Sequence, residues 1–451
     1  MQISLKKKLS ERVEHLIQIS PCDADFRAHR IIKVKMTGDG TWIGKRLHIV
    51  TFGFTVLDEG SVVKSAAGNH SVCLLKESEN YESLVLGLRD IREEMTDISS
   101  QGITVSGIKF DVHFYLGGDW KFIASVCGLD AANATFSCIW CKCAKTERHS
   151  LDSVWSIIDE EKGARTTKSI VDASKLSKRS ASRFNVSHEP LFKCIPMHQV
   201  IPDILHMFLR IADILINLLI LELRRQDGIE KCKELDRSKA RHVTVYEDHL
   251  NKACKIPFQF YICKNTNTLK WRDLTGPEKY RLFSKVDLPS LFPQVPKIVT
   301  IQQIWCQFFQ LINVVRADSI TAEEITKFEA DGKAWLKCFL GIYQTKNVTP
   351  CMHLMIAHLP EFLRIHGPIS PFTQQGLEKL NDVYTQFYFK GSNHKDTEAL
   401  KQILLRKNRL EFLTDSGYER VKHPRKCSLC TLTGHDKRTC SSQRRSPDSA
   451  R

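Results

Sequence analysis

Residues 108–141 read IKFDVHFYLGGDWKFIASVCGLDAANATFSCIWC. The segment IKFDVHFYL (108–116) has the composition of a β-strand, and the glycine pair 117–118 ends it. Asp119 then opens a second, helical stretch that runs toward a Cys-x2-Cys pair. Upstream, IIKVKMT (31–37) reads as a first strand, followed by the turn GDGTWIGK (38–45). RLHIVTFGFTVL (46–57) and SVCLLK (71–76) read as two more strands. Apolar residues at 81, 84, 85, 88, 91 and 95 recur at helical spacing. Three strands, a helix, a strand and a helix make an α/β pattern with a mixed sheet.

Downstream the character changes. Residues 150–350 carry long helical patterns and few strand signals, which predicts an α-helical insertion. A last helical region spans about 373–413. From Ser416 the chain is Ser/Arg-rich, with nine Lys or Arg against three Asp or Glu, and reads as a tail. The expected organisation is therefore a helical segment at 1–30, a first core part at 31–145, an insertion at 146–360, closing helices at 361–415 and a tail at 416–451.

The whole chain has 451 residues, 42% hydrophobic content and a net charge of +15. That is enough apolar material for one large domain or two to three smaller ones. The basic excess points to a polyanionic partner, nucleic acid first, with a solvated basic surface as the plainer account. Sixteen cysteines, among them Cys127, Cys263 and Cys306 inside apolar runs, and an N-terminus without an apolar leader region predict a reducing compartment. The apolar stretch Ile204 to Leu223 includes His206, Arg210, Asp213 and Glu222 and reads as a buried helix rather than a membrane span.

Three acids stand where a nuclease needs them. Asp39 follows the first strand, Asp119 follows the fourth, and Glu378 lies on a late helix beside the stripe Leu377, Leu380, Tyr384 and Phe387. Acids at the ends of neighbouring strands converge at one sheet edge, and a glutamate on a covering helix can close the site. Three carboxylates suit two hard divalent cations, Mg2+ or Mn2+, for phosphodiester chemistry. Each acid also has a plain structural account: a turn aspartate, a helix cap, a solvent-facing helix residue.

Two groups have zinc-ligand spacing. Cys138 and Cys141 form a Cys-x2-Cys pair, and His353 and His358 a distant His-x4-His pair; together they fit a closed tetrahedral site that pins both ends of the insertion. Cys143 in the same run leaves the choice of cysteines open, as does the alternative of two core thiols. In the tail, Cys427-x2-Cys430-x4-His435-x4-Cys440 is a zinc knuckle with Gly434 at its turn. Knuckles bind nucleic acid, and Arg425, Lys426, Lys437, Arg438, Arg444 and Arg445 would supply phosphate contacts.

The stretch 117–141, with its Gly-Asp119, Gly128-Leu129-Asp130-Ala131 and Cys138/Cys141, resembles the catalytic subunit of the V(D)J recombinase and its Transib-type, RAG-like transposase relatives. His353 and His358 in HLMIAHLPE (353–361) resemble that family's later histidine pair. GPISPFTQQGLEKLN (367–381) is similar to the segment bearing its catalytic glutamate, which indicates Glu378, and Asp39-Gly40 matches its first aspartate. Pro202-Asp203-Ile204-Leu205-His206 is similar to a segment whose histidine assists activity, although a histidine on an apolar helix also reads as a core residue. Gln375 departs from the family, which has a carboxylate there.

The resemblance spans roughly 30–415. It implies an RNase H-like mixed sheet of the DDE recombinase type, interrupted by a zinc-stapled helical insertion. It also implies a nuclear, dimeric transposase that nicks double-stranded DNA at terminal inverted repeats and transfers strands, with or without an accessory subunit. Asp39, Asp119 and Glu378 would hold Mg2+ or Mn2+, and the two Cys/His groups Zn2+. The competing expectation is a domesticated or degraded, non-catalytic, zinc-dependent nucleic-acid-binding protein with the knuckle as its working part.

Overall fold

The architecture comes from a computed structural model that describes residues 1–20, 24–45, 47–229, 239–263, 268–418 and 430. Five strands form a mixed sheet in the order β3-β2-β1-β5-β4. They are β1 (Ile31–Ile43), β2 (Leu47–Val56), β3 (His70–Leu75), β4 (Ile103–Val105) and β5 (Ile108–Gly118). β2 runs antiparallel to both β1 and β3, whereas β1 and β5 are parallel. The short β4, which has only three residues and escapes the sequence pattern, hairpins onto β5.

The sheet is buried on both faces around β2, where nine of ten residues are buried, so β2 reads as a near-continuous apolar run. The helices Leu5–Ile19 and Arg89–Gln101 pack on each other and against the β4–β5 edge. Ser4 caps the first helix by accepting from Lys7 N at 3.2 Å, and Leu5, Leu9, Val13 and Leu16 form its buried stripe. That segment is thus part of the core, more apolar on one face than its polar composition suggests.

β1 runs on past the expected turn. Gly38, Asp39 and Gly40 lie inside the strand, paired with Phe52, Thr51 and Val50, and the chain turns only after Ile43. The glycines serve close approach instead. A side chain on Gly38 or Gly118 would run into the Phe122 ring, and one on Gly40 into the Glu79 carboxylate.

Between 146 and 360 the chain is mainly helical, as expected, with one correction: Phe260–Cys263 and Thr268–Trp271 form a two-stranded hairpin. The helices Ile204–Gln226 and Ile298–Val315 are long and apolar enough to cross a membrane. In the first, Ile204, Phe208, Ile211, Leu215, Leu219 and Leu223 are buried in the core. The helix Gln375–Gly391 packs on β1. The chain divides into two compact units, residues 1–403 and 404–451. In the second, Lys407 pairs with Glu411 one turn on, at 2.6 Å.

Candidate metal centres

Cys138 and Cys141 sit on a buried loop whose carbonyls are gathered by one side chain. Arg165, 1% exposed, donates from Nε to the carbonyls of Cys138 and Cys141 and from Nη2 to those of Phe136 and Phe184, at 2.8–3.1 Å. Trp140 between the cysteines donates to Val200 O at 2.7 Å. His353 and His358 arrive on a helix that would ordinarily splay them, since residues five apart are rotated by about 140° on an α-helix. The turn Leu354–His358 is a π-helix, whose wider turn brings residues five apart nearer to one face.

The four side chains converge. Cys138 Sγ lies 3.4 Å from His358 Nε2, and Cys141 Sγ lies 3.3 Å from the Nε2 atoms of both His353 and His358. Ligand atoms on a tetrahedral zinc, with Zn–S near 2.3 Å and Zn–N near 2.0–2.1 Å, stand about 3.5 Å apart, so the donor set and its spacing fit. Among the described residues this is the one group of three or more such side chains whose ligand atoms all lie within 4.8 Å of one another, and all four are buried. The buried Cys2His2 group can hold a metal ion such as zinc. Cys143 is buried nearby but stands outside the group, its thiol donating to Ala144 O at 3.4 Å.

The acids gather at the sheet's other feature, the parallel β1–β5 pair. Gly38 is registered with Gly118, so Asp39 and Asp119 follow at neighbouring positions. Asp119 also caps the helix Trp120–Val126, accepting from Phe122 N at 2.7 Å, as the cap account expects. Glu378, its side chain 45% exposed, reaches from the first turn of Gln375–Gly391 to His206, with Oε1 3.4 Å from Nε2. Among the described residues these carboxylates do not form a group whose ligand atoms all lie within 4.8 Å of one another, as the Cys2His2 group does.

A fourth acid joins them that the sequence reading passes over. Glu79, 7% exposed, accepts from Gly40 N at 2.9 Å and stands 3.4 Å from Lys121 Nζ. It lies in the polar run 76–80, where the one hint is that an acid follows closely on β3. Asp203 and His206 complete the setting. Asp203 caps the helix Ile204–Gln226, holds His206 Nδ1 at 2.5 Å and accepts from Gln374 N at 2.9 Å. His206 therefore sits in a polar network rather than in the apolar core.

Burial, then the charges of Asp119 and Glu79, push the Asp39 carboxyl up to about 7. Burial and Asp119 raise Glu79, and burial raises Glu378. For His206, burial alone would lower the pKa, but the Asp203 hydrogen bond and the charges of Asp203, Glu378 and Asp119 bring it up to about 9. Burial and crowding thus keep the Asp39, Glu79 and Glu378 carboxyls above the ordinary carboxylate range, beside a raised His206. A cavity of 730 Å³ opens beside them, with Glu79, Asp119, Lys121, His206 and Arg210 in its wall.

Of the expected zinc knuckle, Cys427, His435 and Cys440 lie outside the described residues, as do Arg425, Lys426, Lys437 and Arg438; Cys430 alone is described. No model of a known protein family matches the chain, and no curated protein matches it.

Proposed function

We propose that the chain is the catalytic core of a DDE-type transposase or recombinase, a metal-dependent DNA endonuclease and strand transferase. The observation that carries this reading is the β1–β5 register, which sets Asp39 beside Asp119 while Glu378 reaches toward them from a covering helix. The strand order supports an RNase H-like core: three antiparallel strands, then a parallel partner beside β1. Val200 adds an isolated parallel bridge to Leu116 on β5, just before the Asp203–His206 segment.

Oxygen donors from Asp39, Asp119 and Glu378, with Glu79 beside them, suit Mg2+ or Mn2+. Two such ions, when bound, activate the attacking oxygen and stabilise the leaving one. His206 offers its N–H and positive charge to a phosphate oxygen entering the cavity, and Asp203 fixes which ring nitrogen faces that way. The Cys2His2 zinc would staple the insertion, and the knuckle tail would hold DNA. The partner is double-stranded DNA at terminal inverted repeats, bound by a homodimer in the nucleus, with or without an accessory subunit.

Gln375, in place of the family's carboxylate, favours one alternative: a domesticated DNA-binding protein that no longer cuts. A nicking assay separates the two. The parent chain should nick duplexes bearing the inverted repeats that flank its gene, only with Mg2+ or Mn2+, and Asp119→Asn should not. DNA binding without any metal-dependent nicking by the parent would overturn the enzyme reading.

A further inference from the structure

Asn381 lies three residues beyond Glu378, one turn along the same helix, and is 6% exposed. Its Nδ2 donates to Asp39 Oδ2 at 2.7 Å. Its Oδ1 accepts from the hydroxyl of Thr51 at 3.0 Å, and Thr51, fully buried, is the residue directly across from Asp39 in the β1–β2 ladder. The amide is thus bracketed on both sides, and the reverse orientation would set its oxygen against the Asp39 carboxylate. Among the described residues nothing hydrogen-bonds Asp39 Oδ1, which is left open.

We propose that Asn381 is a positioning residue for metal binding: it holds one oxygen of Asp39 and turns the other toward a divalent cation, while its helix delivers Glu378. This rests on the metal-dependent reading of the acids above. The arrangement couples two ligands from distant parts of the chain, because the helix that brings Glu378 is tied to Asp39 by the next turn. Thr51 acts one step further out, fixing the face of the amide that Asp39 meets. Partners of this kind set the aim of a ligating carboxylate without touching the ion.

The test is Mn2+ binding to the full chain, measured by calorimetry. Asn381→Ala should weaken Mn2+ about 10- to 100-fold, the range for loss of a ligand's hydrogen-bond partner. Thr51→Val should weaken it less, and Thr51→Ser, which keeps the hydroxyl, should restore the parent value. A double-mutant cycle separates positioning from loosening of the helix. If Asn381 acts through Asp39, Asn381→Ala should change nothing further in an Asp39→Asn background. An effect that persists there would act through Glu378 and would overturn the assignment. Equal Mn2+ affinity in the parent and Asn381→Ala would overturn the inference alone. A parent chain that binds no Mn2+ would overturn the metal-dependent reading and the inference with it.

Discussion

Gly38 of β1 stands directly across from Gly118 of β5, and both leave room for one ring, that of Phe122. The aspartate after each glycine therefore emerges at the same level of the sheet. Phe122 also gives its backbone N–H to Asp119, so the packing that seats the helix holds the carboxylate.

This double duty makes Asp119→Asn an informative substitution. Asparagine caps helices about as well as aspartate, so thermal stability should match or exceed the parent's, since one charge leaves a crowded cluster. Metal-dependent nicking should vanish, and DNA affinity should persist. Asp119→Ala should in addition cost about 1 kcal/mol through the lost cap. Nicking by Asp119→Asn at the parent rate would remove Asp119 from the chemistry.

The Cys2His2 group should behave as one closed site. His353→Ala should lower zinc by about one ion per chain and destabilise the insertion, because structural zinc contributes folding energy directly. Cys143→Ala should leave the zinc content as it is. Elemental analysis by mass spectrometry on both variants decides the matter; zinc loss from the Cys143 variant alone would reassign the ligand.

Asp119 is legible in the sequence because a clear strand runs into two glycines just before it. Asp39 is legible as an acid but not in its setting. Gly-Asp-Gly has turn composition, yet β2 supplies ladder partners out to Ile43, and the glycines answer to Phe122 and Glu79, which lie far along the chain. Glu79 and Asn381 stay hidden for the same reason. Their partners, Gly40 and Asp39, are 39 and 342 residues away, and no local pattern encodes such a contact. The histidine pair is legible by residue type, whereas the π-turn that aligns it is not read from the sequence.

Asp39 predicts a pH dependence with a definite sign. Burial and the charges of Asp119 and Glu79 push its carboxyl up to about 7, against an ordinary value near 3.8. Between those values the folded state holds a proton that the unfolded chain has lost, so stability without metal should fall as pH rises from about 4 to about 7. A cation requires the ionised form. Mn2+ affinity should therefore rise up to about tenfold per pH unit below 7 and level off above it, with about one proton released per site on binding at pH 6. Calorimetry in buffers of different ionisation heat counts that proton. Binding without proton release at pH 6 would place the cation away from Asp39.

The tail, residues 416–451, has a net excess of six positive charges by its nine Lys or Arg and three Asp or Glu. Phosphate contacts made by such a segment release counterions, so binding weakens with salt, by a slope of about 0.9 in log affinity per contact on duplex DNA. Six contacts would give the tail a share of about 5 in that slope. Deleting 416–451 should therefore weaken binding to repeat-end and random DNA alike at low salt and flatten the salt dependence of both. The acids lie no further along the chain than Glu378, so nicking by the shortened chain at saturating DNA should keep the parent rate. Affinity measured at two salt concentrations, with and without the tail, reads both effects. Unchanged affinities after deletion would show that the proposed knuckle does not touch DNA, and a protein-docking role would then explain the segment better.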